Sequence, residues 1–333
     1  MEISLAIPPS GRAPDLVAGA EKLGYARAWM YDSPALYPDV WLTLMRCAER
    51  TSSIGLGPGV LVAPLRHPMV NAASIAALVD VVGEERVSVA VGTGFTASLT
   101  LGQRPYRWSE VVSHVQCIRR LLKGETVEWE GENIKMMHPD GYGPPRPIAV
   151  PIIFAATGAK GFELAEAHAD GLLTPIATAP FAAGRRLVLF KGTLLRDDED
   201  ESSPRVLAEA GPTAMMRYHT YRGIDLGGSV PPRYGAWEQA YADVPDGQRH
   251  LEVHSQHLVG INERDKEFLT PELIRRTGGA VSVDQARNRL TELAERGVSE
   301  VVYQPGPVDT LGELEAFMGV AAEFAGTRIV GRP

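Results

Sequence analysis

A chain of 333 residues with 44% hydrophobic and 22% charged residues has the composition of a globular protein able to bury a sizeable core, which excludes disorder as its default state. The net charge of −8 comes without a basic block, which argues against a nucleic-acid partner. No 18-residue apolar run and no signal-like N-terminus appears, so a cytoplasmic protein without membrane attachment is expected.

Taken in chain order, short apolar runs alternate with amphipathic stretches, the pattern of strand–helix units around a parallel sheet. Strands are expected at 2–7 (EISLAI), 26–31 (ARAWMY), 54–60 (IGLGPGV), 86–92 (RVSVAVG), 151–156 (PIIFAA), 170–174 (DGLLT), 205–210 (RVLAEA) and 300–304 (EVVYQ). Helices are expected from Ala13, Pro38, Pro68, Ser109, Gly161 and Ser282, the last closed by Gly297 just ahead of a strand. Eight alternating units without a composition break predict an α/β fold, a single (β/α)8 TIM barrel over 1–333. Two intervals are too long for simple connections. One insertion is expected after strand 4, at about 124–150, where ETVEWEGENIKMMHP alternates around Gly131 like a hairpin, and one after strand 7, at about 212–280. The acidic run RDDEDESS (196–203) reads as a solvated loop. Cys47 and Cys117 sit in helix-like contexts without C-x-x-C spacing and read as reduced packing residues.

In such a barrel the site lies where the C-terminal strand ends converge. Those ends offer Asp32, Ser33, Gly59, Val60, Thr93, Gly94, Thr157, Gly158, Thr174, Glu209 and Gln304. Small and polar residues suit a flat polar ligand lying close to backbone, although a glycine can also end a strand for its own sake. Thr157, Gly158, Ala159 and Lys160 fall where a strand hands over to a helix, so backbone N–H groups and a lysine can face a phosphate; a plain helix cap is the alternative. His250, His254 and His257, at i, i+4 and i+7, share one face if their segment is helical. Packing or a pocket lining is favoured there over a metal site, because H-E-x-x-H is absent, and no metal is expected. His67, ahead of Pro68, reads as a capping residue. No G-x-S-x-G elbow appears, and Asp32 with Glu209 could form an acid pair for glycoside cleavage.

Four segments together resemble the bacterial luciferase-like family of barrels: GYARAWMYDS, the stretch from TSSIGLGPGV to VGTGF, PIIFAATGAKGFELAEAHADGLL, and GGAVSVDQARNRLTELAERGVSEVVYQPG. VGTGF with LGQRP, RLLKGETVEWEG and AATGAKG are similar to the deazaflavin-dependent branch that includes methylenetetrahydromethanopterin reductase. The resemblance implies an oxidoreductase, commonly a homodimer, that transfers a hydride between coenzyme F420 and a small organic substrate. An FMN-dependent monooxygenase using O2 is the alternative. It further implies a non-proline cis peptide at Gly59–Val60 against the back of the ring, Asp32 at the ring's polar edge, Gly92, Thr93 and Gly94 along the ribityl chain, and Thr157, Gly158, Ala159 and Lys160 on the phosphate. Sugar-phosphate dehydrogenases of this branch carry a histidine after the aspartate and a glutamate after G-T-G. Ser33 and Phe95 stand at those places, which argues against glucose 6-phosphate as substrate. Asp32, Glu209 and His254 are the candidate catalytic residues, the last two as proton donors.

Overall fold

The computed structural model describes residues 1–221 and 230–326. Eight parallel strands, β1 (Glu2–Ile7), β2 (Arg27–Met30), β3 (Gly55–Leu61), β4 (Val89–Val91), β5 (Ile152–Ala155), β6 (Gly171–Thr174), β7 (Arg185–Lys191) and β8 (Glu300–Gln304), close into a barrel in which β8 pairs with β1. Around it lie α1 (Ala13–Lys22), α2 (Val40–Ala48), α3 (Pro68–Val82), α4 (Trp108–Leu122), α5 (Ala159–His168), α6 (Pro204–Tyr221), α7 (Val283–Glu295) and α8 (Thr310–Ala321). This is the (β/α)8 barrel expected, with residues 175–184 joining β6 to β7 without a helix. His67 caps α3, its Nδ1 accepting from Met69 N at 3.1 Å, and both cysteines are free and buried.

One strand lies elsewhere than the sequence reading put it. RVLAEA (205–210) belongs to α6, and RRLVLFK (185–191) is the seventh strand. Ser203–Pro204 is a helix start, since proline's fixed φ suits the first helical position, and Leu, Ala and Glu that follow are good helix formers. RRLVLFK holds four consecutive apolar residues between charged ends, the pattern of a strand buried on both faces. It pairs with β6 through Leu173↔Leu187 and with β8 through Gln304↔Lys191.

Between β4 and β5, the strands Val127–Trp129 and Glu132–Ile134 form an antiparallel hairpin. Its two turn residues, Glu130 (φ 53°) and Gly131 (φ 89°), have the positive φ values that a tight two-residue hairpin demands. Between β7 and α7, Thr193–Leu194 pairs with Ala280–Val281 and brackets a long excursion. That excursion has a hydrophobic cluster of its own, in which Tyr218 of α6 packs with Trp237, Phe268 and Ile274.

Inside the barrel, inward-pointing residues alternate along each strand. The inward positions of β3 ahead of its register shift, Gly55, Gly57 and Gly59, are all glycine, and the barrel itself dictates this. A Cβ at Gly57 would fall 1.7 Å from the Ser88 carbonyl oxygen, and one at Gly59 would fall 2.7 Å from Trp29 Cβ. Trp29, fully buried, fills the lumen together with Ala6, Ala90, Ile153, Leu173, Leu187 and Val302. Among the described residues no helix is long and apolar enough to cross a membrane.

Candidate active site

A cavity of about 320 Å³ opens at the C-terminal mouth, on the Trp29 layer. Trp29, Leu173 and Val302 belong to both the layer and the cavity lining. Tyr31, Asp32, Gly59, Val60, Gly92, Thr93, Gly94, Lys191, His257 and Gln304 complete the part of the lining that carries chemistry. The Gly59–Val60 peptide is cis, where the resemblance implied one. At Gly92 and Gly94 a Cβ would fall 2.9 Å from Val60 Cγ1 and 2.3 Å from Val62 Cγ1, and Gly94 has a φ of 72°. Glycine at the end of β4 therefore makes room for Val60 and Val62, which line the cavity beside it.

Asp32 is buried and fully engaged. Its Oδ2 accepts from Arg66 Nη1 at 2.7 Å and from Val62 N at 3.1 Å, and its Oδ1 accepts from Arg66 Nη2 at 2.9 Å. Arg66 also reaches Asp39 Oδ2 at 3.0 Å, and Asp39 caps α2 through Leu42 N. Burial alone would lower the Arg66 pKa; its bonds to Asp32 and Asp39 outweigh that and raise it. This forked pair gives Asp32 a positioning task in the cavity wall. Nothing in the sequence marks Arg66, because the pairing exists only once the β3–α3 loop folds back over the end of β2.

The other two catalytic candidates do not reach the cavity. Glu209 sits on α6, outside the lining, where its Oε1 accepts from Asp309 N at 2.8 Å and its Oε2 from Val308 N at 2.9 Å, holding the approach to α8. It is not at a strand end, and the Asp32–Glu209 pair imagined for glycoside cleavage is not assembled. The expected three-histidine helix face is also absent, since the helix spans only Arg249–Val253 and turns follow it. His257 lines the cavity, and His254 lies behind it with Nδ1 atoms 3.4 Å apart. Burial, then the neighbouring His219, pushes His254 down to about 4 and His257 well below the usual range, which keeps both rings neutral.

Lys191, the last residue of β7, is the lining residue that the sequence reading missed, because it was lost with its strand. Applied to RRLVLFK, the strand-end rule would have named it. Burial lowers the pKa of its ammonium, and nearby Arg289 lowers it further. Tyr31 and Tyr37 are spoken for. Tyr31 OH donates to the Ala6 carbonyl at 3.0 Å and Tyr37 OH to the His257 carbonyl at 2.5 Å, and burial raises both phenol pKa values.

A second hollow, of about 680 Å³, lies beside the first and is lined by Thr157, Gly158 and Ala159 with Phe162, Glu163 and Glu166. Here the N-terminus of α5 has no side-chain cap, which leaves backbone N–H groups for an anion. Lys160 is paired with Glu163 at 2.9 Å, so a phosphate would compete with that carboxylate for it. Ala155 lines the first hollow and Thr157, two residues on, lines the second. The two hollows thus both reach the end of β5, the second lined by the start of α5 and by the carboxylates Glu163 and Glu166.

Fold and site together define a (β/α)8 barrel with a ligand cavity at its C-terminal mouth. The chain belongs to the luciferase-like monooxygenase family, whose sequence pattern matches residues 3–300. It is 29% identical over 190 residues to the F420-dependent hydroxymycolic acid dehydrogenase of Mycobacterium tuberculosis, covering 50% of this chain and 52% of that protein. It is 30% identical over 162 residues to the 5,10-methylenetetrahydromethanopterin reductase of Methanolobus tindarius, covering 46% and 47%. The chain thus spans about half the length of these relatives. The oxygenating constituent of 3,6-diketocamphane monooxygenase from Pseudomonas putida, solved in complex with FMN, shares the fold, with a TM-score of 0.62 at 14% identity over 100% of this chain and 99% of that one. Relatives are therefore oxidoreductases, F420-dependent ones among them, and the fold is shared with an FMN-bound enzyme.

Proposed function

We propose that this protein is an F420-dependent oxidoreductase that transfers a hydride between the deazaflavin and a small organic substrate. One observation carries the reading: a glycine-lined cavity and a hollow at an uncapped helix N-terminus both reach one strand end, as a cofactor with a planar ring and a phosphate-bearing tail requires. In this reading Gly59, Val60, Gly92, Thr93 and Gly94 hold the ring and its ribityl chain. Asp32, fixed by Arg66, sits at the ring's polar edge, and Thr157, Gly158, Ala159 and Lys160 hold the phosphate. The deazaflavin supplies the hydride when bound.

The chain's own residues supply position, dryness and a proton. Trp29, Leu173 and Val302 give the cavity an apolar floor, which keeps water from the reacting face and favours an apolar group next to the carbon that is reduced or oxidised. Lys191 Nζ delivers or takes up the proton, in place of Glu209 and His254. It faces the cavity, and its lowered pKa brings it toward the range in which an ammonium exchanges protons readily at neutral pH. The FMN-bound fold neighbour favours a second reading, in which the same cavity takes FMN for O2 chemistry.

Fluorescence titration of the purified protein with F420 and, separately, with FMN distinguishes these readings. F420 binding tighter than FMN by about tenfold or more, about 1.4 kcal/mol, is the expected result. Tighter FMN binding transfers the protein to the oxygen-using reading, and binding of neither overturns both.

A further inference from the structure

Behind the cavity wall, three histidines from separate parts of the excursion turn ring nitrogens toward one point. His219 lies near the end of α6, and His254 and His257 lie in the turns that follow Arg249–Val253. The Nδ1 atoms of His219 and His254 are each 3.4 Å from that of His257, and one ring nitrogen of each residue lies within 4.8 Å of the other two. All three residues are buried. A hydrogen bond from an N–H donor has its usual length near about 2.9–3.0 Å, so 3.4 Å is long for one. The two 3.4 Å spacings agree instead with edges of a coordination tetrahedron. Zinc–nitrogen distances of about 2.0–2.1 Å place neighbouring ligand nitrogens roughly 3.3–3.4 Å apart.

The proton count points the same way. His219 Nε2 lies 2.8 Å from Asp265 Oδ2, an acceptor, which leaves Nδ1 as the nitrogen that faces His257. His257 Nδ1 must then serve two neighbours with at most one proton. A cation accepts a lone pair from each of the three nitrogens at once.

The surroundings are those that orient a metal-binding imidazole. Asp265 is itself fixed, accepting from Trp237 Nε1 at 2.8 Å, Tyr241 OH at 2.9 Å and Asn262 Nδ2 at 3.1 Å while it holds His219. A carboxylate behind a ligating histidine fixes the ring and raises its basicity. On either side of His257, Gln256 and Leu258 have φ values of 64° and 63°. Such a left-handed conformation is unfavourable for a residue with a side chain, so it persists only where the surroundings hold it.

We propose that His219, His254 and His257 form a binding site for a divalent transition-metal ion of the zinc class, with Asp265 orienting His219 and a fourth position left for water. The sequence reading expected no metal because it looked for H-E-x-x-H, and the third ligand stands 35 residues before His254. The ion ties α6 to the 254–258 turn. Because the His257 carbonyl accepts from Tyr37 and His257 lines the cavity, the ion also fixes one wall of the site.

The full-length protein, purified from zinc-supplemented medium and dialysed, is expected to carry close to one zinc per chain by elemental analysis. After chelator treatment, titration with Co2+ should produce the intense visible bands of tetrahedral cobalt and restore the thermal stability that stripping removed. His219→Ala and His254→Ala should abolish the cobalt spectrum, Asp265→Asn should weaken affinity by about 10–100-fold, and His114→Ala, outside the cluster, should change nothing. An unchanged cobalt spectrum in His219→Ala overturns the site. Should the histidine variants fail to fold, the wild-type protein decides alone: no retained metal, no tetrahedral cobalt bands and a chelator-insensitive Tm leave the cluster as hydrogen-bonded packing.

Discussion

At the N-terminal end of the barrel Arg27, Arg185 and Glu300 lie beneath Trp29, whereas at the C-terminal end Tyr31, Lys191 and Gln304, on the same three inward rows, stand around a cavity. Glu300, wholly buried, accepts from Trp29 Nε1 at 2.8 Å and from Arg185 Nη2 at 2.6 Å, while Arg27 Nη1 donates to the Arg86 carbonyl at 3.0 Å. Below Trp29, Glu300 is held by Trp29 and Arg185 and these side chains close the barrel. Above it, Lys191 faces open space and Gly92 and Gly94 make room for Val60 and Val62. What an inward polar residue does in this barrel is therefore told by its partner and not by its type. Glu300, held by Trp29 and Arg185, is scaffold, and so is Tyr31 with its OH on the Ala6 carbonyl, whereas Lys191 faces the cavity and can meet a ligand.

The largest expected effect breaks the upper end alone. Lys191→Met should lower turnover by about 10²–10⁴-fold with little change in F420 affinity, since it removes a proton carrier and not a ring contact. In the direction that consumes the ammonium, burial lowers its pKa, so the wild-type rate should fall with rising pH below the ordinary lysine value of 10.5. A rate for Lys191→Met near that of the wild type would put the proton elsewhere. At the lower end, Glu300→Gln leaves buried Arg27 short of a nearby counter-charge and Arg185 with Glu2 alone, and should cost about 1–3 kcal/mol in urea unfolding, with F420 affinity of the folded fraction unchanged.

Gly158→Glu sharpens the contrast between site and scaffold. A Cβ there meets nothing within 4 Å, so Tm should hold while the added carboxylate weakens F420 binding by about tenfold or more. Equal affinity would remove the phosphate from α5. The smallest effect belongs to Glu21, whose Oε1 accepts from the N–H groups of Ser52, Ser53 and Ile54 just ahead of β3. Burial pushes this carboxyl up, but those bonds outweigh it and hold it down to about 2. A folded pKa below the unfolded 4.5 gives stability that is present above 4.5 and lost as pH falls toward about 2. The group is largely exposed, so the gain is below about 1 kcal/mol, and Glu21→Gln should flatten stability over that window by no more than this.

Seven of the eight strands were legible because each carries its apolar run between turn signals, and the hairpin was legible from its alternation around Gly131. β7 was lost because RVLAEA has an apolar content close to that of a strand, while the Ser203–Pro204 helix start ahead of it went unread. That single slip put Glu209 at a strand end and hid Lys191. The cavity walls at Gly59–Val60 and Gly92–Gly94 were legible as strand ends. The glycines of β3 were legible as a pattern but not for their main cause, which is Trp29 and the Ser88 carbonyl inside the barrel. Arg66 and His219 could not be found from spacing, because each meets its partners only through tertiary contact, Arg66 with Asp32 and His219 with His254 and His257.

The central claim is hydride transfer at the upper end of the barrel. It is tested most directly by mixing the protein with reduced F420 and a panel of small carbonyl and C=C substrates without oxygen, following the absorbance of the deazaflavin. The account predicts that at least one substrate oxidises reduced F420 in the wild-type protein and that Lys191→Met does so far more slowly. Turnover that appears only with reduced FMN, and only when oxygen is admitted, would contradict it.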